Sequence, residues 1–166
     1  RSNERLVMFS SLSKRSNVPG MRSGFVAGDA AILKKFLLYR TYHGCAMAPP
    51  VQTASVAAWN DEAHVLDNRN QYREKFAACT PLIAEVLGTG MPDASFYLWA
   101  KTPIADTEFA RGLLEHYNVV VLPGSFLARE VRGVNPGANF IRIALVASLD
   151  ECLEATTRIR QFAQQL

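Results

Sequence analysis

The chain has 166 residues, 49% of them hydrophobic and 20% charged, with a formal net charge of +3. That is enough for one sizeable core, or a core plus a small satellite. The basic residues are scattered without a run of four Lys/Arg, which argues against a nucleic-acid stripe, and no apolar stretch is long enough to span a bilayer.

Residues 6–10 and 24–27 read as two short strands, the second ending at Gly28. The apolar run 6–9 predicts a buried strand that delivers Lys14 to a loop. A buried lysine is costly unless it has a partner or a task, and desolvation beside another cation pushes it toward a nucleophilic amine. Ser11 and Ser13 before it, and Arg22 eight positions after it in a Gly-rich turn, would form a phosphate cradle. An amine nucleophile beside a phosphate site is what pyridoxal phosphate (PLP) chemistry requires: a Schiff base to lysine, anchored through the phosphate.

Asp29 reads as the N-cap of a helix with Ile32, Leu33, Phe36 and Leu37 on its apolar face, stopping near Gly44. Ala48-Pro49-Pro50 breaks the chain and opens a helix over about 51–59. Residues 62–87 follow a long helical pattern, with Tyr72, Phe76, Cys79, Ile83 and Leu87 on one face and a kink expected at Pro81. Beyond Gly88-Thr89-Gly90 the texture alternates: a strand over 95–101, a helix over 106–117, and strands over 119–122 and 139–146. Ser148-Leu149-Asp150-Glu151 is a capping box that opens the last helix. This alternation predicts a small α+β layer with its boundary inside the long helix, near 68–72. Cys45, Cys79 and Cys152 are odd in number and widely spaced, which suits reduced cytoplasmic thiols, and His43 with Cys45 falls short of a zinc site. The N-terminal Arg-Ser-Asn-Glu-Arg carries no signal-peptide apolar region behind it.

Ser11-Leu12-Ser13-Lys14 followed by Arg22-Ser23-Gly24 resembles the PLP-lysine signature of the class I/II aminotransferases. Asn139-Phe140-Ile141-Arg142-Ile143-Ala144-Leu145 is similar to that family's C-terminal strand, and Val119-Val120-Val121-Leu122-Pro123-Gly124-Ser125-Phe126 stands before it in the family's order. The resemblance runs along essentially the whole chain. It implies an α/β chain built as the C-terminal part of the PLP-dependent transferase fold, with residues 1–70 ending the large-domain sheet and 71–166 forming the small α+β domain. It implies PLP as cofactor, Lys14 as the Schiff-base and proton-shuttling lysine, Ser11, Ser13 and Arg22 as phosphate ligands, and Arg142 as the clamp on the substrate carboxylate. No metal is implied.

Within the family, Val134-Asn135-Pro136-Gly137-Ala138 is most similar to succinyldiaminopimelate aminotransferases of lysine biosynthesis. The expected activity is transfer of an amino group between an amino acid and a 2-oxo acid such as 2-oxoglutarate, by a cytoplasmic homodimer. Tyr42, His43 and the Pro49-Pro50 corner resemble the family segment that reaches the neighbouring subunit's site. A PLP-dependent β-lyase or decarboxylating synthase would share Lys14, Arg22 and Arg142, and a non-catalytic aminotransferase-like domain would share the shape. In the family, the aspartate on the pyridine nitrogen and the ring-stacking aromatic precede the lysine by more than the 13 residues present here. The chain therefore reads as a fragment, expected to be inactive alone.

Overall fold

The computed structural model describes residues 3–44 and 46–166. Cys45, paired with His43 in the sequence reading, lies outside the described residues. The chain divides into two compact units, one up to Arg69 and one over Asn70–Leu166.

The first unit opens with strand β1 (Val7–Ser11), the single-turn helix α1 (Leu12–Arg15), a 3₁₀ turn (Pro19–Met21) and strand β2 (Gly24–Gly28). β1 and β2 pair antiparallel, with Val7 opposite Gly28 and Ser11 opposite Gly24. Gly24 is required there, because a Cβ would stand 2.7 Å from the Ser10 carbonyl oxygen. Helices α2 (Ala30–Tyr42) and α3 (Pro49–Asn60) follow. Asp29 caps α2 as its sequence predicts, accepting from the Ala31 and Ile32 N–H groups, and Pro49 starts α3.

The expected burial of the 6–9 run is not found. Leu6, Met8 and Phe9 are exposed, as are Ile32 and Leu37 of the supposed apolar face of α2. The physical reason is that β1 has a ladder partner on one edge only among the described residues, and two strands with a helix cannot enclose all of their apolar side chains. Leu12 and Val65 are this unit's buried apolar residues among those described.

Helix α4 (Ala63–Ala84) contains the division between units. It holds Pro81 in its last turn and closes at Ala84 instead of continuing to Leu87, although the Glu85 N–H still donates to the Pro81 carbonyl at 3.2 Å. Strand β3 (Tyr97–Lys101), helix α5 (Asp106–Tyr117), strand β4 (Leu122–Pro123), strand β5 (Phe140–Ala144) and helix α6 (Leu149–Ala163) complete the second unit. The sheet order is β3-β5-β4, antiparallel throughout. One sheet face carries Leu98, Ala100, Ile141 and Ile143 into a core with Phe76, Cys79 and Ile83 of α4, Phe109 and Leu113 of α5, and Ile159 and Phe162 of α6. The Val119-Val120-Val121-Leu122 run is not the strand expected. Only its last residue joins Pro123 in a two-residue pairing with β5, after Asn118 turns the chain in the left-handed region at φ 52°. The Ser148–Glu151 capping box forms reciprocally, as expected.

Candidate active site

Lys14 sits in a place set by three local features. β1 ends at Ser11, Leu12 is fully buried and its N–H donates to the Ser23 carbonyl at 3.1 Å, and the chain turns once through α1. Lys14 is therefore on a helical turn and exposed, not buried in a loop as the sequence predicts. It forms part of the wall of an open cavity of about 680 Å³, together with Phe9 and Ser11 from β1, Arg15 from α1, Phe25 from β2, and Phe36 and Arg40 from α2. Ser11 is the N-cap of α1, and its side chain makes no capping bond.

The other two expected phosphate ligands lie off that cavity wall. Ser13 is half-buried within α1. Arg22 sits in the left-handed region at φ 53° and donates its Nη1–H to the Pro19 carbonyl at 2.8 Å. Sequence reasoning missed Arg15 and Arg40. The signal for Arg40 was its spacing of four from Phe36, which puts both on one stripe of α2. Arg15 is tied down: it bonds the Ala58 carbonyl at 3.0 Å, pairs with Glu62, and lies 4.8 Å from the Trp59 ring centroid. The cavity's donor set is an amine, serine hydroxyls and guanidiniums among phenyl rings, with no carboxylate among its lining residues. That chemistry fits a flat, anionic ligand bearing a phosphate and a carbonyl.

In the second unit, Arg142 occupies the central strand β5, between Trp99 of β3 and Leu122 of β4 in register. It lies on the sheet face opposite Ile141 and Ile143, as the alternation predicts. Its Cζ is 5.5 Å from the Tyr97 ring centroid, and Trp99 and Phe140 stack beside it at 5.6 Å. The Arg142 Nε is buried with no hydrogen-bond partner among the described residues. A buried donor left unmade costs about 1–3 kcal/mol.

The loop before β5 is held from one point. The buried Asp106 accepts the Ser125 N–H at 2.8 Å and the Asn139 N–H at 3.3 Å. Burial raises its carboxyl, but the Ser125 and Asn139 bonds outweigh this and hold it below the usual carboxylate range. Gly124 and Gly137 meet so closely that a Cβ on Gly124 would stand 2.4 Å from the Gly137 carbonyl oxygen.

The family model described as aminotransferase class I and II matches residues 1–159. The chain belongs to the class I and II aminotransferases. A crystallographic aminotransferase from Neisseria meningitidis superposes with a TM-score of 0.90 and 57% identity over 97% of this chain and 41% of its own. A probable N-succinyldiaminopimelate aminotransferase of Thermus thermophilus superposes with a TM-score of 0.83 and 33% identity, over 97% of this chain and 43% of its own. A probable aminotransferase of Mycobacterium tuberculosis is 34% identical over 93% of this chain and 35% of its own length. The aminotransferase chain thus spans about two-fifths of its relatives, and within that span it has the mixed α/β fold of PLP-dependent aminotransferases. PLP is the cofactor of this family, and the cavity's donor set suits it.

Proposed function

We propose that this chain supplies the lysine and the carboxylate-binding arginine of a PLP-dependent transaminase that moves an amino group between an amino acid and a 2-oxo acid such as 2-oxoglutarate. The single observation that carries the reading is the Lys14 amine and the Ser11 hydroxyl on the wall of one cavity free of carboxylates. When bound, PLP supplies an electron sink for the substrate Cα. Lys14 would hold the cofactor through Nζ, and the same amine, when free, would move a proton to and from the substrate Cα as general base and acid. Ser11 donates to the phosphate, with Ser13 and Arg22 as further ligands on the strength of the motif. Arg142 orients the substrate through its carboxylate, the acceptor that its buried Nε lacks.

Residues 1–70 then belong to the large PLP-binding domain and 71–166 form the small domain, in a cytoplasmic homodimer. The finer donor is N-succinyl-LL-2,6-diaminopimelate, in lysine biosynthesis. The 134–138 loop and the name of the Thermus thermophilus relative support it. Incubation of the protein, completed in trans by the upstream portion of a relative, with candidate donors and 2-oxoglutarate tests the reading. Glutamate formation is expected, fastest with the succinylated donor. Ammonia or thiol release without glutamate would instead favour the β-lyase reading.

A further inference from the structure

A four-residue helix cannot hold itself, because nucleation fixes several residues for one hydrogen bond. α1 is such a helix, and it carries Lys14 in its third position. Its N-terminal end is held by buried Leu12 and the Ser23 carbonyl. Its C-terminal end is held by Arg15, bonded to the Ala58 carbonyl and paired with Glu62, and by a polar chain from the corner between α3 and α4. His64 Nε2 lies 2.8 Å from the Oγ of Ser16, the C-cap of α1, and His64 Nδ1 lies 2.8 Å from Asp61 Oδ2. The other Asp61 oxygen accepts the Ala63 N–H at 2.9 Å.

The direction of this chain follows from its ends. A carboxylate only accepts, so Nδ1 donates to Asp61, and in the neutral imidazole Nε2 accepts the Ser16 hydroxyl. Arg15 Nη1 approaches the same Oγ from the other side at 3.5 Å. The His64 bond, and the Ala63 N–H after it, hold the Asp61 carboxyl below its ordinary value. The spacing is that of a hydrolytic triad, but the Asp61 side chain is 52% exposed and Ser16 closes a helical turn, so the chain holds α1 in place and does not react.

We propose that His64, backed by Asp61, is a positioning residue for Lys14: through Ser16 it fixes the single helical turn on which the lysine stands. The proposal rests on the reading of Lys14 as the PLP lysine. It places two residues of the α3–α4 corner in the service of that amine, although neither lines its cavity.

The experiment is hydrogen–deuterium exchange on the 166-residue chain, comparing wild type with His64→Ala, Ser16→Ala and His64→Gln. Each alanine variant is expected to speed exchange over residues 12–17 roughly tenfold, the loss of one hydrogen bond with its partner left unmade. The double variant should add little to either single change, with α6 unchanged as an internal control. His64→Gln keeps an acceptor for the Ser16 hydroxyl and is expected to restore slow exchange. The second readout is the pH profile of Lys14 acylation by an amine-directed reagent, followed by peptide mapping. His64→Ala should move its midpoint, and His64→Gln should return it. Unchanged exchange over 12–17 in His64→Ala would overturn the proposal, as would equal loss in the alanine and glutamine variants. PLP captured by a lysine other than Lys14 would overturn the underlying reading instead, and the exchange data distinguish the two failures.

Discussion

Arg142 and Asp106 show how single groups shape the substrate side. Removing the Arg142 guanidinium by Arg142→Ala is expected to raise the KM for amino and oxo acids alike, by about 2–5 kcal/mol in binding terms, with PLP retention unchanged. Steady-state kinetics with both substrates measures it, and an equal loss of PLP would contradict the division of roles. The buried Asp106 accepts two backbone N–H groups, so Asp106→Ala, which leaves them without that acceptor, should destabilise the second unit by about 1–3 kcal/mol. Its carboxyl is held below the ordinary value in the folded state. The stability it contributes is therefore present above its unfolded pKa and fades as pH falls through the lower, folded one. Urea melts at pH 7 and in the acid range should show the wild-type advantage over Asp106→Asn shrinking in acid. Arg22 and Arg40 pose a sharper choice. Arg22 is bound to Pro19 and Arg40 lines the cavity, so comparing PLP retention in Arg22→Ala and Arg40→Ala shows which cation holds the phosphate. The motif had brought Lys14, Ser11 and Arg22 into view because their spacing is local. Nothing in the sequence showed that the Arg22 side chain turns back on its own 3₁₀ turn, since that depends on the positive φ at Arg22 itself.

Among the elements, those specified locally were legible and those specified by distant partners were not. Asp29 and the Ser148–Glu151 box satisfy helix end groups within four residues, and Pro49, which has no N–H to satisfy, opens α3 two residues before the expected start. Ser148→Ala should accordingly cost about 1 kcal/mol, read as a lowered urea midpoint. The 119–122 run is four successive apolar residues with no period, which by itself does not specify a strand. Its ladder needs β5, about 20 residues away in sequence, and forms only at Leu122 and Pro123. The apolar run 6–9 misled for the same reason: burial depends on what packs over a strand, and its composition cannot supply that. Gly124 belongs to this scale as well. Gly124→Ala drives a Cβ into the Gly137 and Phe140 carbonyl oxygens, so the loop before Arg142 should shift and substrate affinity should fall more than stability.

For the whole molecule, the two units differ in how much they enclose. The second has a continuous core from Phe76 to Phe162, while the first leaves Leu6, Met8, Phe9, Leu37 and Leu38 exposed. An open strand edge beside exposed apolar side chains favours pairing with another chain. The isolated chain should therefore self-associate with rising concentration in sedimentation, with limited proteolysis cutting the first unit before the second. The account's central claim is that Lys14 is the residue that takes PLP. Its most direct measurement is borohydride reduction of the PLP-loaded protein followed by peptide mapping. The adduct is expected on the peptide holding Lys14 and absent in Lys14→Ala, whereas an adduct on Lys34, Lys35, Lys75 or Lys101 instead would contradict the account.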